Sequence, residues 1–126
     1  MTSTTVPLLK HFVAALNYRI DKVIAAAPPG FGEYSAGHGV RTPAQVLSHV
    51  GDVLIWAVGR FTGEARQEHA PGTWDDEVAR FRNITRSLNQ ALADWGNPNL
   101  DTAQKILQGP LAAAMTHAGQ LAMLSR

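Results

Sequence analysis

The sequence predicts an all-α protein that folds as an antiparallel, up-and-down-type four-helix bundle. Apolar residues recur at helical spacing in four segments, and clusters of proline and glycine separate these segments. No segment alternates apolar and polar residues as a half-buried strand does. The chain has 126 residues, which fits a single domain over 1–126. A domain of this size buries about two thirds of the surface that its unfolded chain exposes, so it can fold without disulfides or metals.

The first predicted helix covers Val6 to Ala27 and ends at the sequence APPGFG, whose prolines and glycines cannot continue a helix. A glycine-rich loop, PPGFGEYSAGHGV, follows this helix and carries Glu33 and His38. We interpret the loop either as a flexible connector or as a lip over a site. The apolar positions that repeat at helical spacing in the first helix are Leu8, Leu9, Phe12, Leu16, Ile20 and Val23.

The second and third predicted helices have clear start signals. The second begins at TPAQ, which supplies Thr42 as N-cap, a proline at the first helical position and a glutamine that completes a capping box, and it ends near Gly63. The third begins after Thr73 with acidic residues in its first turn, where they favour the positive end of the helix dipole, and ends at GNPN. The predicted core positions are Val46, Leu47, Val50, Leu54, Val58 and Phe61, then Trp74, Val78, Phe81, Ile84, Leu88, Leu92 and Trp95.

The last predicted helix begins at Gly109 and Pro110, after a short helical turn over Asp101 to Leu107. It is apolar nearly all round and rich in alanine. Since small residues let neighbouring helices approach closely, we expect it at the centre of the bundle. The pattern runs to Arg126 with no terminating glycine, so we expect the natural chain to continue beyond this residue.

The composition narrows the classes of function. The chain has no cysteine, which excludes disulfides and thiolate metal ligands and fits a cytoplasmic location. Its net charge is +1 and its basic residues are scattered, so we expect neither nucleic acid nor a membrane surface as partner. No apolar run reaches the ~20 residues of a membrane span. No nucleotide-binding glycine motif or serine-nucleophile motif is present in the sequence.

Two histidines in the middle of predicted helices are candidate metal ligands. His49 and His117 lie at similar depths in the second and last helices, so they face each other if those helices adjoin. Neutral imidazole binds nickel, zinc and iron. Asp52, one turn from His49, is a candidate third ligand or the carboxylate that orients an imidazole. The alternative is that each histidine is a hydrogen-bonded core residue.

Four further residues are candidate pocket or orienting groups. Trp56 follows Asp52 by one turn, and we expect it to pack in the bundle or to wall a pocket. Gln120 lies one turn beyond His117. Glu33 and His38 join the site only if the glycine-rich loop folds over it.

The runs TPAQVLSHVGDVLIW and GPLAAAMTHAGQLAMLSR resemble the DinB/YfiT-like family of four-helix-bundle metalloproteins. The resemblance implies a divalent metal, held by one histidine on the second helix and by two on the last helix with the spacing H-x-x-x-H. By position, the first and last of these ligands match His49 and His117. The middle ligand falls on Ala113, which cannot bind a metal. The resemblance also implies a small-molecule substrate, because some members are thiol-dependent transferases or isomerases.

These observations leave two hypotheses. The first is a divalent-metal-dependent enzyme, with nickel, zinc or iron held by His49 and His117 and with Asp52, a loop residue or water in the other positions. Its reaction would be of the thiol-dependent transferase type. The alternative is a non-catalytic binding or homodimerising bundle whose metal site is incomplete at Ala113. An enzyme requires an open, partly polar cavity that reaches both histidines. In a binding module, both histidine side chains are packed and hydrogen-bonded.

Overall fold

In a computed structural model, which describes residues 4–63 and 69–126, the protein is a helical bundle, and these residues contain no strand. The prediction of an all-α fold is confirmed. The helices are α1 (Thr5–Ala26), α2 (Pro43–Thr62), α3 (Trp74–Ala93), α4 (Leu100–Ile106) and α5 (Ala112–Leu124). A short 3₁₀ turn occupies Phe31–Glu33, and a π-helical segment occupies Leu107–Leu111.

The ends of α2 and α3 follow from local hydrogen bonding. The Thr42 hydroxyl accepts a hydrogen bond from the backbone N–H of Gln45, whose side chain in turn accepts from the Thr42 N–H at 2.9 Å. The Thr73 hydroxyl and the Asp76 carboxylate form the same reciprocal pair at the start of α3. Each capping box satisfies two backbone donors that have no partner inside the helix. Gly63 ends α2 with a left-handed backbone at φ 74°, a conformation that glycine adopts without strain.

The last helix differs from the prediction because Pro110 does not start it. The helical backbone continues without a break from α4 through the π segment into α5. Pro110 has no N–H and therefore cannot make the regular helical hydrogen bond to the carbonyl four residues before it. The N–H of Ala112 bonds instead to the carbonyl of Leu107, five residues back. One wide turn thus accommodates the proline inside a continuous helix.

The core comes from one face of each helix. Leu8 is an exception to the predicted stripe because it is 65% exposed, and Val13 is buried in α1 instead. The expectation that the last helix lies at the centre of the bundle is wrong. Only one face of α5 is buried, and Met123 on its other side is 69% exposed. The largest fully buried apolar side chains are Leu16, Ile20, Leu47, Leu54, Phe81, Leu88, Leu92, Ile106, Leu111 and Leu121.

The order of packing determines which side chains can meet. Helix α2 packs against α3 and α5, and α1 packs against the same two helices. Since α1 and α2 share both neighbours, they lie diagonally across the bundle, and the connection over 27–42 crosses from one to the other. The contact between α2 and α5 is the one on which the predicted histidine site depends. None of the helices in the described parts of the chain has the length and apolar character needed to cross a membrane.

Candidate functional site

The centre of the candidate site is a pair of histidines between α2 and α5. The rings of His49 and His117 are in edge-to-face contact, with centroids 4.6 Å apart and planes at 83°. Both side chains are half-buried, so the pair lies at the boundary between core and solvent. The sequence predicted this meeting from a last helix that begins at Pro110, whereas the continuous helix begins at Leu100. The packing of α2 against α5 brings the two rings together.

Gln120 makes a hydrogen bond to one member of the pair. The Nδ1 atom of His117 lies 2.7 Å from Oε1 of Gln120, one helical turn away. With the amide oxygen of Gln120 facing the ring, neutral His117 donates this hydrogen bond from Nδ1, because an amide oxygen only accepts hydrogen bonds. Nε2 of neutral His117 then carries the lone pair. Holding one ring nitrogen as donor while the other presents its lone pair is the usual way in which a protein orients a metal-binding imidazole.

Asp52 does not join the histidines. Its Oδ1 accepts a hydrogen bond from Nη2 of Arg80 on α3 at 2.8 Å, and the two side chains form an ion pair. Nη1 of Arg80 donates at 3.0 Å to the backbone carbonyl of Ser48. The carboxylate therefore faces α3. The Arg80 guanidinium on α3 binds both this side chain and a backbone carbonyl of α2. A Cβ atom on Gly51 would lie 2.5 Å from Nη1 of Arg80, so this approach needs glycine at that position.

The carboxylate of Glu77 is the most buried ionisable group of this region, and the sequence did not single it out. The Glu77 residue is 1% exposed. Its Oε2 accepts hydrogen bonds from the backbone N–H of Gly72 at 2.7 Å and from Nε2 of His69 at 3.0 Å. Nη1 of Arg80 lies 3.6 Å from Oε1. We call these four polar side chains, His69, Glu77, Arg80 and Asp52, the α2–α3 polar network.

The other predicted pocket residues have their own surroundings in the structure. The guanidinium of Arg60 stacks 4.5 Å from the ring centre of Trp56, which is 39% exposed. Glu33 is exposed and lines a surface pocket of about 470 Å³ with Trp74 and Asp75 at the start of α3. His38 is exposed in the loop, with a left-handed backbone at φ 55°. Gln120, by contrast, makes a hydrogen bond to His117.

The donor set fits a divalent metal in part. Imidazole nitrogens suit nickel, zinc and iron, and the His117 ring is oriented by Gln120 as a ligand ring would be. Across residues 4–63 and 69–126, no group of three or more His, Cys, Asp or Glu side chains is placed to hold a metal ion. Among these described residues, the two histidines supply two ligand positions.

The chain was compared with models of protein families, with curated proteins and with solved structures, and none of the three comparisons finds a match. Any assignment of family or function therefore depends on the sequence and geometry of the chain itself.

Proposed function

We propose that the chain is an antiparallel four-helix bundle of the DinB-like type whose α2–α5 histidine pair binds a divalent transition metal. The observation that carries the proposal is the contact between His49 and His117, whose ring centroids lie 4.6 Å apart. Gln120 makes a hydrogen bond to the His117 ring. Two imidazoles on neighbouring helices are a common basis of metal sites in bundles. Half-burial of both rings leaves the pair accessible to a small ligand.

The reaction that we propose is metal-dependent and uses a small-molecule substrate, with a thiol as the substrate class that the family resemblance suggests. A bound divalent metal supplies Lewis acidity and lowers the pKa of a water or thiol that it coordinates. The residues of the chain bind and orient: His49 and His117 provide nitrogen donors, and Gln120 holds the His117 ring by its Nδ1–H. With two protein ligands, more coordination positions remain for substrate than in a site with three.

A second candidate is a non-catalytic bundle that has lost its metal. Two observations favour it: Ala113 occupies the position of the middle family ligand, and the carboxylate of Asp52 is paired with Arg80. In this case the histidine pair is a packed polar contact, and the exposed Trp56 and the apolar side of α5 belong to a homodimer interface. Edge-to-face aromatic pairs stabilise folds without any ligand.

Metal titration of variants separates the two candidates. The wild-type chain, purified without an affinity tag, is titrated with Zn²⁺ and Ni²⁺ by calorimetry and examined by elemental analysis. We expect one equivalent of metal in the wild type and loss of binding in His49→Ala and His117→Ala. Ala113→His restores the H-x-x-x-H spacing and adds a third imidazole ligand. We expect this ligand to tighten metal binding by about tenfold or more.

Ala112→His is the matched control for the restored ligand. It adds the same imidazole one residue away on α5, at an exposed position about 100° around the helix, and should leave the affinity unchanged. A wild-type chain that takes up neither metal would refute the metalloenzyme proposal. If Ala113→His alone then bound metal, the second candidate would be supported. Light scattering of the metal-free chain would next establish whether it is a dimer.

A further inference from the structure

An apolar groove of about 820 Å³ runs between α1 and α5, and neither His49 nor His117 is among its lining residues. Its volume is that of a small-molecule pocket, for which about 300–1,000 Å³ is usual. One wall is a stripe along α1, and the other is built from small residues of α5. The side chains that make these walls include Leu8, Phe12 and Ala15 on α1 and Met115, Ala118 and Ala122 on α5.

The groove exposes large apolar side chains at the surface of the bundle. Leu8 is 65% exposed and Tyr18 is 61% exposed, and both line the groove. Water is excluded from most other large apolar residues of α1, since Leu9, Val13, Leu16 and Ile20 are buried. Single exposed apolar side chains scattered over a surface are ordinary and need no explanation. A continuous, concave apolar surface is instead typical of a binding site.

The charged groups that line the groove are of one sign. Arg19 and Lys22 lie one turn apart on α1, Arg126 lies at the end of α5, and the lining residues in the described parts of the chain include no Asp or Glu side chain. The ammonium of Lys22 lies 4.9 Å above the ring of Tyr18, which holds it beside the apolar wall. The neighbouring acid of α1, Asp21, is paired at 3.6 Å with an arginine of α3. An occupant with an apolar body and an anionic end complements this surface.

We propose that the groove binds a free amphipathic carboxylate with an unbranched aliphatic tail, a site that is independent of the proposed metal site. The tail lies along the apolar stripe of α1, and the carboxylate pairs with Arg19 and Lys22. From Leu8 to Arg19 the stripe is about 16 Å long at about 1.5 Å per residue, which is the scale of a medium-length fatty-acid tail. Arginine and lysine both pair with carboxylates, and arginine does so with two parallel hydrogen bonds.

Gly119 offers a way to fill the groove without disturbing the fold. It lines the groove on α5, and a Cβ atom built on it meets nothing within 4 Å. A leucine at this position therefore extends into open space and occupies the volume that a tail requires. Ala112 is the matched control, since it is an exposed residue of the same helix and does not line the groove.

The test titrates decanoate into the 126-residue chain by calorimetry and follows the backbone amides by NMR. We expect decanoate to bind with a one-to-one stoichiometry and to shift amides of α1 and α5. Decyltrimethylammonium, which has the same tail length and opposite charge, should bind about tenfold more weakly or not at all. Replacing Arg19 and Lys22 together by glutamine should weaken decanoate binding by about threefold to tenfold, as expected for two partly exposed ion pairs.

The leucine variants decide where decanoate binds. Gly119→Leu should weaken decanoate binding by about tenfold or more, and Ala112→Leu should leave it unchanged, with both variants folded by circular dichroism. Equal binding of the two amphiphiles, or no effect of Gly119→Leu, would overturn the proposal. So would failure of decanoate to bind while the chain sediments with phosphatidylglycerol vesicles, which would assign the groove to a membrane surface. A dimer that Gly119→Leu converts to a monomer, without decanoate binding, would assign it to a second copy.

Discussion

Replacing Glu77 by alanine should destabilise the protein by about 2–4 kcal/mol. The residue is 1% exposed, and its carboxylate accepts a charge-assisted hydrogen bond from the Gly72 N–H at 2.7 Å, an interaction worth about 1.5–3 kcal/mol. The Arg80 pair at 3.6 Å is partly exposed to solvent and adds about 1 kcal/mol or less. Truncation also leaves the Gly72 donor and the guanidinium without this acceptor, which adds to the cost.

Glu77→Gln separates the hydrogen bond from the charge. The glutamine oxygen can still accept from the Gly72 N–H, so we expect a loss of about half the alanine effect. Glu33→Ala removes an exposed carboxylate and should change the free energy of unfolding by about 0.5 kcal/mol or less. Urea denaturation followed by circular dichroism gives the three values from midpoint and slope. A Glu77→Ala variant within about 0.5 kcal/mol of the wild type would refute the claim that this buried carboxylate stabilises the fold.

Three further predictions concern single contacts, each measured by the same urea denaturation. Gly119→Ala should stabilise the protein by about 0.5–1 kcal/mol, because the added Cβ enters open space on a helix. Gly51→Ala should be neutral or destabilising, because the added Cβ would displace the Arg80 guanidinium. Equal effects of the two substitutions on the free energy of unfolding would contradict the close approach of Arg80 to Gly51. Thr42→Ala should lower the free energy of unfolding by about 1 kcal/mol, because the capping box is lost. Thr42→Ser keeps the hydroxyl that accepts from the Gln45 N–H and should keep most of this stability. Gly32→Ala should cost about 1–3 kcal/mol because its Cβ would overlap the Cβ of the half-buried Trp74. An unchanged midpoint would exclude this overlap.

The helix starts were predictable because their signals are local. Thr42 and its glutamine lie three residues apart, and the hydrogen bonds that they form need no other part of the chain. The meeting of His49 and His117 was predicted on the condition that the second and last helices adjoin, and these helices do pack together. The depth of His117 was a poorer guide, because its helix begins at Leu100 and not at Pro110.

The α2–α3 polar network was not predictable for a physical reason. Acidic residues in a first helical turn are explained by the helix dipole alone, so Glu77 carried no separate signal of burial. Gly72 and His69, which lie within eight residues of Glu77, reach its carboxylate only because the chain before α3 folds back onto the helix, and no local motif indicates this. The partner of Asp52 lies 28 residues away at Arg80, so that ion pair depends on the packing of α2 against α3. The one available sign was Gly51 in the interior of a helix, where glycine is unfavourable unless another group approaches closely.

The interpretation of Pro110 failed for a related reason. The first position of a helix needs no hydrogen bond from the backbone N–H of its residue, so proline is tolerated there. A wide turn can likewise accommodate a residue that has no N–H. The local sequence Gly109-Pro110 is consistent with both. The structure that forms depends on the packing of the π segment against α1 and α2, which the local sequence does not reveal.

The wide turn at Leu107–Leu111 also sets the direction in which α5 points its side chains. Each residue of an α-helix advances by about 100° around the axis, so one additional residue in a single turn offsets everything that follows by about that angle. In a regular helix of the same sequence, His117 would be rotated away from α2, and Ala118 and Ala122 would leave the wall that they share with α1. Pro110, in the wide turn before α5, thus helps to set the orientation of two separate surfaces. These are the histidine pair on one side of α5 and the apolar groove on the other.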